Sequence, residues 1–259
     1  MLKLFEHPLS PYVQKVKIAL YEKNISFETE MPNAFTGAAT DYVKMNPRLE
    51  VPTLVDGGLS IFDSTIILEY IEDKWPKPSL LPAAPEERAR VRMIEELCDT
   101  YYEAINWGVM EIRIFKRASG DLADSIIKRA SQQVSGIHAR LEQELGSREY
   151  FNGASLGWGD LSVFPFVNGS AFYGLAPADR SRLYAWWQKT LERESVRKCV
   201  DAATKSITGV EQASQLVESG VFVRQYRDHR LEWMMRSGGK DIVLAGMAKK
   251  NIRFSTEIE

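Results

Sequence analysis

The step Val51-Pro52-Thr53-Leu54-Val55, followed after a short turn by Asp63-Ser64-Thr65-Ile66-Ile67, constrains this chain more than any other feature. Only X-Pro bonds have an inexpensive cis form, so a Val-Pro step leading into a strand is a candidate cis peptide. A bend there keeps Val51 out of the sheet and leaves its backbone N–H and C=O for an extended ligand. Asp63-Ser64 then opens a helix, where unpaired backbone donors and the positive end of the dipole favour an anion. Upstream, Ser10-Pro11 starts another helix directly after the strand Leu2-Lys3-Leu4-Phe5. A free backbone edge beside a carboxylate-binding helix start suits a small peptide-like molecule.

The pattern around these pieces predicts strands over Lys3–Glu6 and Ser26–Glu30, with a helix from Ser10 to Lys23 between them. A polar stretch from Ala38 to Met45 reads as a helix ending before Asn46-Pro47. Thr53–Asp56 and Leu59–Phe62 form a hairpin across Gly57-Gly58. Ser64–Lys74 is a helix with Ile67, Tyr70 and Ile71 on one face, stopped by Trp75-Pro76. The order β-α-β-α-β-β-α is that of an α/β thioredoxin-like domain, expected over residues 1–78. A Pro-rich linker follows at 79–86, then an all-α helical domain at 87–206 and a helical extension at 207–259.

Within the helical part, Val91, Ile94, Cys98, Tyr101, Ile105 and Ile112 recur at helical spacing and define one buried face. Met93, Trp107, Met110 and Ile114 make a second apolar stripe, facing a pocket or another subunit. Further helices are expected over Asp121–Leu145, Trp158–Asn168 and Ala178–Leu191. The extension reads as one amphipathic helical tail carrying Val221, Phe222, Tyr226 and Trp233, broken at Gly238-Gly239 before a loose basic end.

A net charge of −2 points to neither nucleic acid nor an anionic membrane. Cys98 and Cys199 stand far apart with no Cys/His cluster, which argues against a zinc site or a disulfide framework. A reducing, cytoplasmic compartment is the expectation. No signal peptide is expected from the residues ahead of the first strand, and no segment reaches the length of a membrane span.

These pieces together resemble the cytosolic glutathione transferases over roughly residues 2–200. Ser10-Pro11-Tyr12-Val13 resembles the Ser-Pro-Phe helix start of the plant tau class, where the omega class has Cys-Pro-Phe. Lys44-Met45-Asn46-Pro47, Val51-Pro52-Thr53-Leu54 and Asp63-Ser64 follow in the family's order, and Asp160-Leu161-Ser162-Val163-Phe164-Pro165 resembles its N-capped core helix.

The resemblance implies glutathione as co-substrate, with Ser10 as the catalytic hydroxyl donating to its sulfur. It places Val51, held open by Pro52, against the cysteinyl backbone, Asp63 and Ser64 on the γ-glutamyl group, and Lys44 near the glycine carboxylate. It further implies a hydrophobic small-molecule electrophile and a homodimer. Without a histidine base Ser10 is a poor nucleophile, so hydrolase chemistry is disfavoured. Lacking a cysteine there, the chain is not expected to be an efficient thiol transferase.

Three departures stand out: Asp63 for the usual glutamate, Glu50 where tau members carry lysine, and Gly157 in place of a Ser or Thr cap. A glycine cap is expected to cost little. The competing reading is a binding or regulatory protein on the same fold without turnover, since function rests on the site rather than the fold.

Overall fold

Four short strands supply the frame on which the ligand-facing pieces sit. β1 (Leu2–Phe5) pairs parallel to β2 (Phe27–Glu30) and antiparallel to β3 (Thr53–Asp56), which pairs with β4 (Leu59–Phe62), giving the order β2-β1-β3-β4. Leu4 lies opposite Leu54 at the centre, and neither reaches solvent. Gly57, at φ +60°, turns the hairpin in the left-handed region that glycine enters without strain. The computed structural model describes residues 1–32, 41–207 and 210–254.

α1 (Pro11–Glu22) buries Val13, Val16, Ile18, Ala19 and Leu20 and packs on α3 (Ser64–Lys74). Of the helix read over 38–45, Tyr42–Met45 is formed (α2), and residues 38–40 lie outside the described ones.

Seven helical pieces follow: α4 (Pro85–Leu97), a π-helical turn (Cys98–Tyr102), α5 (Glu103–Arg113), α6 (Gly120–Leu145), α7 (Trp158–Phe172), α8 (Arg182–Leu191) and α9 (Glu194–Ser206). The π turn lies within the run read as one buried face and corrects it at one position: Tyr101 is 68% exposed, and Tyr102 is the buried residue. Its extra backbone rotation re-aims everything after it. Met93, before the turn, is therefore 66% exposed, whereas Trp107, Met110 and Ile114, after it, line the main cavity.

α7 is apolar all round and runs through the centre, packed by α1 and α4. Asp160 on its first turn accepts from the backbone of Phe151 (2.8 Å), Gly157 (3.0 Å) and Asn152 (3.3 Å) and from Trp186 Nε1 (2.8 Å). Gly157 is more than an acceptable cap. A Cβ there would stand 2.1 Å from Asn152 Nδ2 and 2.5 Å from the Leu80 carbonyl oxygen.

His138 on α6 meets the Tyr102 hydroxyl, which also contacts Ser170 Oγ at 2.6 Å. Burial pulls the imidazole down to about 4. A histidine whose folded value lies below its unfolded one stabilises the fold above the unfolded value, and that stability is lost on acidification. The loss runs from about pH 6.5 to about pH 4 and totals about 3 kcal/mol. His138→Gln should flatten this acid limb, read as the urea midpoint against pH. An unchanged limb would show that other groups set it.

The extension corrects the reading of a single tail helix with a loose end. It forms α10 (Val210–Glu218), β5 (Arg224–Gln225), α11 (Asp228–Arg236), α12 (Lys240–Ala248) and β6 (Ile252–Arg253). β5 and β6 pair in parallel, Arg224 opposite Ile252. Beyond Gly238-Gly239 the chain is held because Ile242, Val243 and Ile252 find apolar cover. Trp233 packs so closely on α5 that a Cβ at Gly108 would lie 2.0 Å from its ring.

Candidate active site

Ser10, Val51, Pro52, Asp63 and Ser64 all line one cavity of about 1980 Å³. That is about twice the upper range of ordinary small-molecule sites, leaving room for a peptide and a second molecule. Lys44 is not brought to it. Its side chain is 76% exposed and pairs with Asp41 at 3.1 Å.

Ser10 is the N-cap of α1, with Pro11 as first helical residue. Its Oγ accepts from the Val13 N–H at 3.4 Å, so the hydroxyl proton is left to donate elsewhere. Ahead of it, His7 Nδ1 accepts from the Leu9 N–H at 3.3 Å. Burial lowers the His7 pKa. The Val51-Pro52 bond is cis. Leu49, two residues earlier, holds φ +52°.

Asp63 (φ +75°) is the N-cap of α3. One carboxylate oxygen accepts from Thr65 N at 3.0 Å, and the other lies 3.5 Å from Arg48 Nη1. Ser64 begins the helix and is buried. The carboxylate is thus spent on its own helix and Arg48, and a ligand's amine would share it.

Glu50 does not present a bare negative charge. Arg48 Nε lies 3.0 Å from one carboxylate oxygen and Arg227 Nε 3.2 Å from the other. Arg253 Nη2 donates to the Leu49 carbonyl at 3.1 Å, and Nη1 to that of Arg48 at 3.5 Å. Two arginines of the extension therefore grip the loop just before Val51.

α5 anchors that extension through Glu103, Trp107 and Glu111, four residues apart on one face. Arg230 forks onto Glu103, with Nη2 at 2.6 Å and Nε at 3.0 Å, and His229 Nε2 lies 2.9 Å away. Burial works against ionisation of Glu103, but Arg230 and His229 outweigh it and hold the carboxyl down to about 2. Tyr226 stands edge-on to Trp107 at 4.4 Å and donates to Glu111 at 2.7 Å.

The remaining wall is apolar and includes Tyr12, Met110, Phe166 and Phe172. Tyr12 donates to the Asp99 carbonyl at 2.6 Å. Cys98 and Cys199 are buried, and burial pushes the Cys199 thiol up to about 12, so neither offers a thiolate at neutral pH.

Sequence reading missed Arg48, Asp99, Arg224, Arg227 and Arg253. The alternation of charge in Arg48-Leu49-Glu50 was the one local hint. The rest reach the cavity from segments distant in sequence.

A thioredoxin-like unit with a cis-proline edge and a capped serine, opening onto a helical chamber, defines a glutathione-dependent transferase fold. Residues 4–79 match the glutathione S-transferase N-terminal domain, and residues 123–194 the C-terminal domain. The probable glutathione S-transferase parA of Nicotiana tabacum is 30% identical over 198 residues, covering 73% of this chain and 84% of that one. A stringent starvation protein A homolog of Coxiella burnetii is 35% identical over 94 residues, 36% of this chain and 44% of that one. Among solved structures, rice GST1 in complex with glutathione superposes with a TM-score of 0.67 at 27% identity, over 83% of this chain and 96% of that chain. The chain belongs to the glutathione S-transferase family. Glutathione is accordingly its co-substrate, and transfer its class of chemistry.

Proposed function

We propose that this is a serine-type glutathione transferase in which Ser10 holds glutathione as a thiolate for attack on a hydrophobic electrophile. The observation that carries this is the meeting of Ser10, the cis Val51-Pro52 edge and the Asp63-Ser64 helix start in one cavity with an apolar chamber. The cysteinyl backbone would pair with Val51, and the γ-glutamyl group with Ser64 and Asp63. Lys44 would have to leave Asp41 and turn inward to reach the ligand. The sulfur attacks the electrophilic carbon as the leaving group departs with its electron pair. Conjugation of a detoxification type, glutathione-dependent elimination and ether cleavage share this first requirement.

The proposal includes the division at residues 79–86 and a cytoplasmic homodimer. Support for the dimer is an exposed apolar set on neighbouring elements: Ile66 on α3, Met93 on α4 and Tyr101 in the π turn. No helix among the described residues is long and apolar enough to cross a membrane.

Calorimetric titration of the purified protein with glutathione should give a micromolar-to-millimolar constant, with thiolate absorbance appearing in the ultraviolet. Absence of binding at millimolar glutathione would sink this reading. It would favour the binding or regulatory alternative, which the likeness to the stringent starvation protein A homolog supports.

The grip of the extension on the Arg48–Glu50 loop makes a second expectation. Arg253→Ala should weaken glutathione binding by about tenfold, the loss of a charge-assisted contact that positions Val51. Equal affinity in the variant and the parent protein would show that the loop keeps its shape unaided.

A further inference from the structure

We infer that the groove between α6 and α11 is a binding site for a phosphate monoester, a ligand separate from glutathione and its electrophile. Its walls are Arg129, Gln133 and Ile137 of α6 and Glu232, Trp233 and Arg236 of α11. Both helices pack on α5. They meet each other where Trp233 Nε1 donates to Gln133 Oε1 at 2.7 Å. The thioredoxin-like unit contributes none of these side chains.

Two side chains on α6 hold donors that nothing in the fold uses. Arginine is rarely buried without a carboxylate, yet half-buried Arg129 makes no hydrogen bond or ion pair among the described residues. Its Nε is sealed from solvent, so a ligand is met by Nη1 and Nη2, which are not sealed and line the cavity. Gln133 stands one turn further along the same face. An indole N–H can only donate, so the Gln133 oxygen is the atom held by Trp233 and the amide NH2 is turned to the groove. That NH2 keeps accessible surface and has no partner among the described residues.

The second wall adds to this surplus of donors. α6 runs antiparallel to α5, with His138 beside Tyr102 and Gln133 reaching Trp233 over Gly108. α11 runs parallel to α5, with Arg230 beside Glu103 and Trp233 against Gly108. One turn on from the Gln133–Trp233 bond therefore brings Arg129 and Arg236 to the same level of the groove. Arg236 is engaged only through Nη1, on Glu232 at 3.1 Å, an exposed pair that loosens at little cost. Two guanidinium groups thus face one carboxylate. Asp228 lies two turns back along α11, beside Arg227. Donors approach from both walls, which suits a tetrahedral oxyanion, whereas a planar carboxylate takes one fork from one side. Ile137, a further turn along α6 and partly buried, gives the ester's carbon group an apolar seat.

Phenyl phosphate, a dianion at about pH 8, should bind saturably when titrated calorimetrically into the full chain. Arg129→Met should weaken it at least about tenfold, the loss of a charge-assisted contact. The same variant should leave the melting temperature of the unliganded protein undiminished, because the arginine has no partner to lose. Gln133→Glu keeps an acceptor for Trp233 and replaces the free NH2 with a negative charge. It should abolish binding, and it serves if the methionine variant fails to fold. Benzoate, planar and singly charged, should bind the parent protein at least about tenfold more weakly than phenyl phosphate. No saturable binding of phenyl phosphate to the parent protein, or an undiminished affinity in either variant, overturns the inference. Equal affinity for benzoate would assign the groove to carboxylates and overturn it as a phosphate site.

Discussion

Ser10→Ala should raise the pKa of bound glutathione by one to two units and cut turnover at neutral pH by roughly tenfold to a hundredfold, the worth of a hydrogen bond to a charged atom. A free thiol of pKa about 8.5 is only a few per cent ionised at pH 7, and lowering it by two units takes about 2.7 kcal/mol. The positive end of α1 supplies roughly 0.3–1 kcal/mol, and a hydroxyl donating to the sulfur about 1.5–3 kcal/mol. The two together span the requirement, and the helix end alone falls well short of it. The variant therefore keeps the smaller share and its turnover recovers at alkaline pH.

Stability is a separate matter. The cap bond from Val13 to Ser10 Oγ is long at 3.4 Å, so its loss should cost near the low end of about 0.5–2 kcal/mol. A pH–rate profile displaced to higher pH, with fold and glutathione affinity largely kept, is the expected signature. A profile that does not move would show that Ser10 serves α1 alone.

What was legible in the sequence was what local rules govern. The hairpin at Gly57-Gly58, the caps at Ser10 and Asp63 and the cis step at Pro52 each follow from residues within a few positions of one another. Lys44 shows the limit, because position along the chain does not say which way a side chain leaves a helix of four residues. The π turn, bonded over five residues instead of four, is only Cys98–Tyr102, too short for the apolar periodicity around it to mark it. The extension was opaque for another reason. Its anchors pair residues more than a hundred positions apart, Glu111 with Arg224 and Glu103 with Arg230, and its strands have two residues each. Arginines that read as polar surface become walls of the site only once α5 offers its carboxylates.

Lys15→Met should be among the most destabilising single changes in the chain, at about 3–5 kcal/mol. Lys15 is fully buried on α1, with Nζ 2.5 Å from Glu95 Oε1 and 2.7 Å from Asp99 Oδ2. Thr65 of α3 and Trp158 of α7 complete the set by donating to Glu95 at 2.8 and 2.5 Å. Five segments, α1, α3, α4, the π turn and α7, therefore meet in one network around Lys15 and Glu95, and methionine fills the lysine's volume without its charge. Two carboxylates would then share a dry site with no cation. A whole domain of this kind is stable by only about 5–15 kcal/mol. The melting temperature should fall by on the order of 10 °C. Exposed pairs such as Lys3–Glu30 are worth at most about 1 kcal/mol by contrast.

Acid should reveal the cause of the loss. Burial pushes Asp99 up, even beside Lys15, to about 7. A carboxyl whose folded value is raised above 3.8 favours the folded state when protonated, and that advantage disappears as pH rises through the folded value. Without Lys15 the carboxyl holds its proton harder still. The deficit of Lys15→Met should therefore be greatest above neutral pH and shrink on acidification, read as the difference in urea midpoints from pH 8 to pH 5. Lys15→Met combined with Glu95→Gln and Asp99→Asn should recover much of the loss, because a neutral set has no desolvated charge to compensate. A deficit independent of pH and untouched by those changes would mean that the packing of the lysine stem, rather than its charge, holds α1 to the helices.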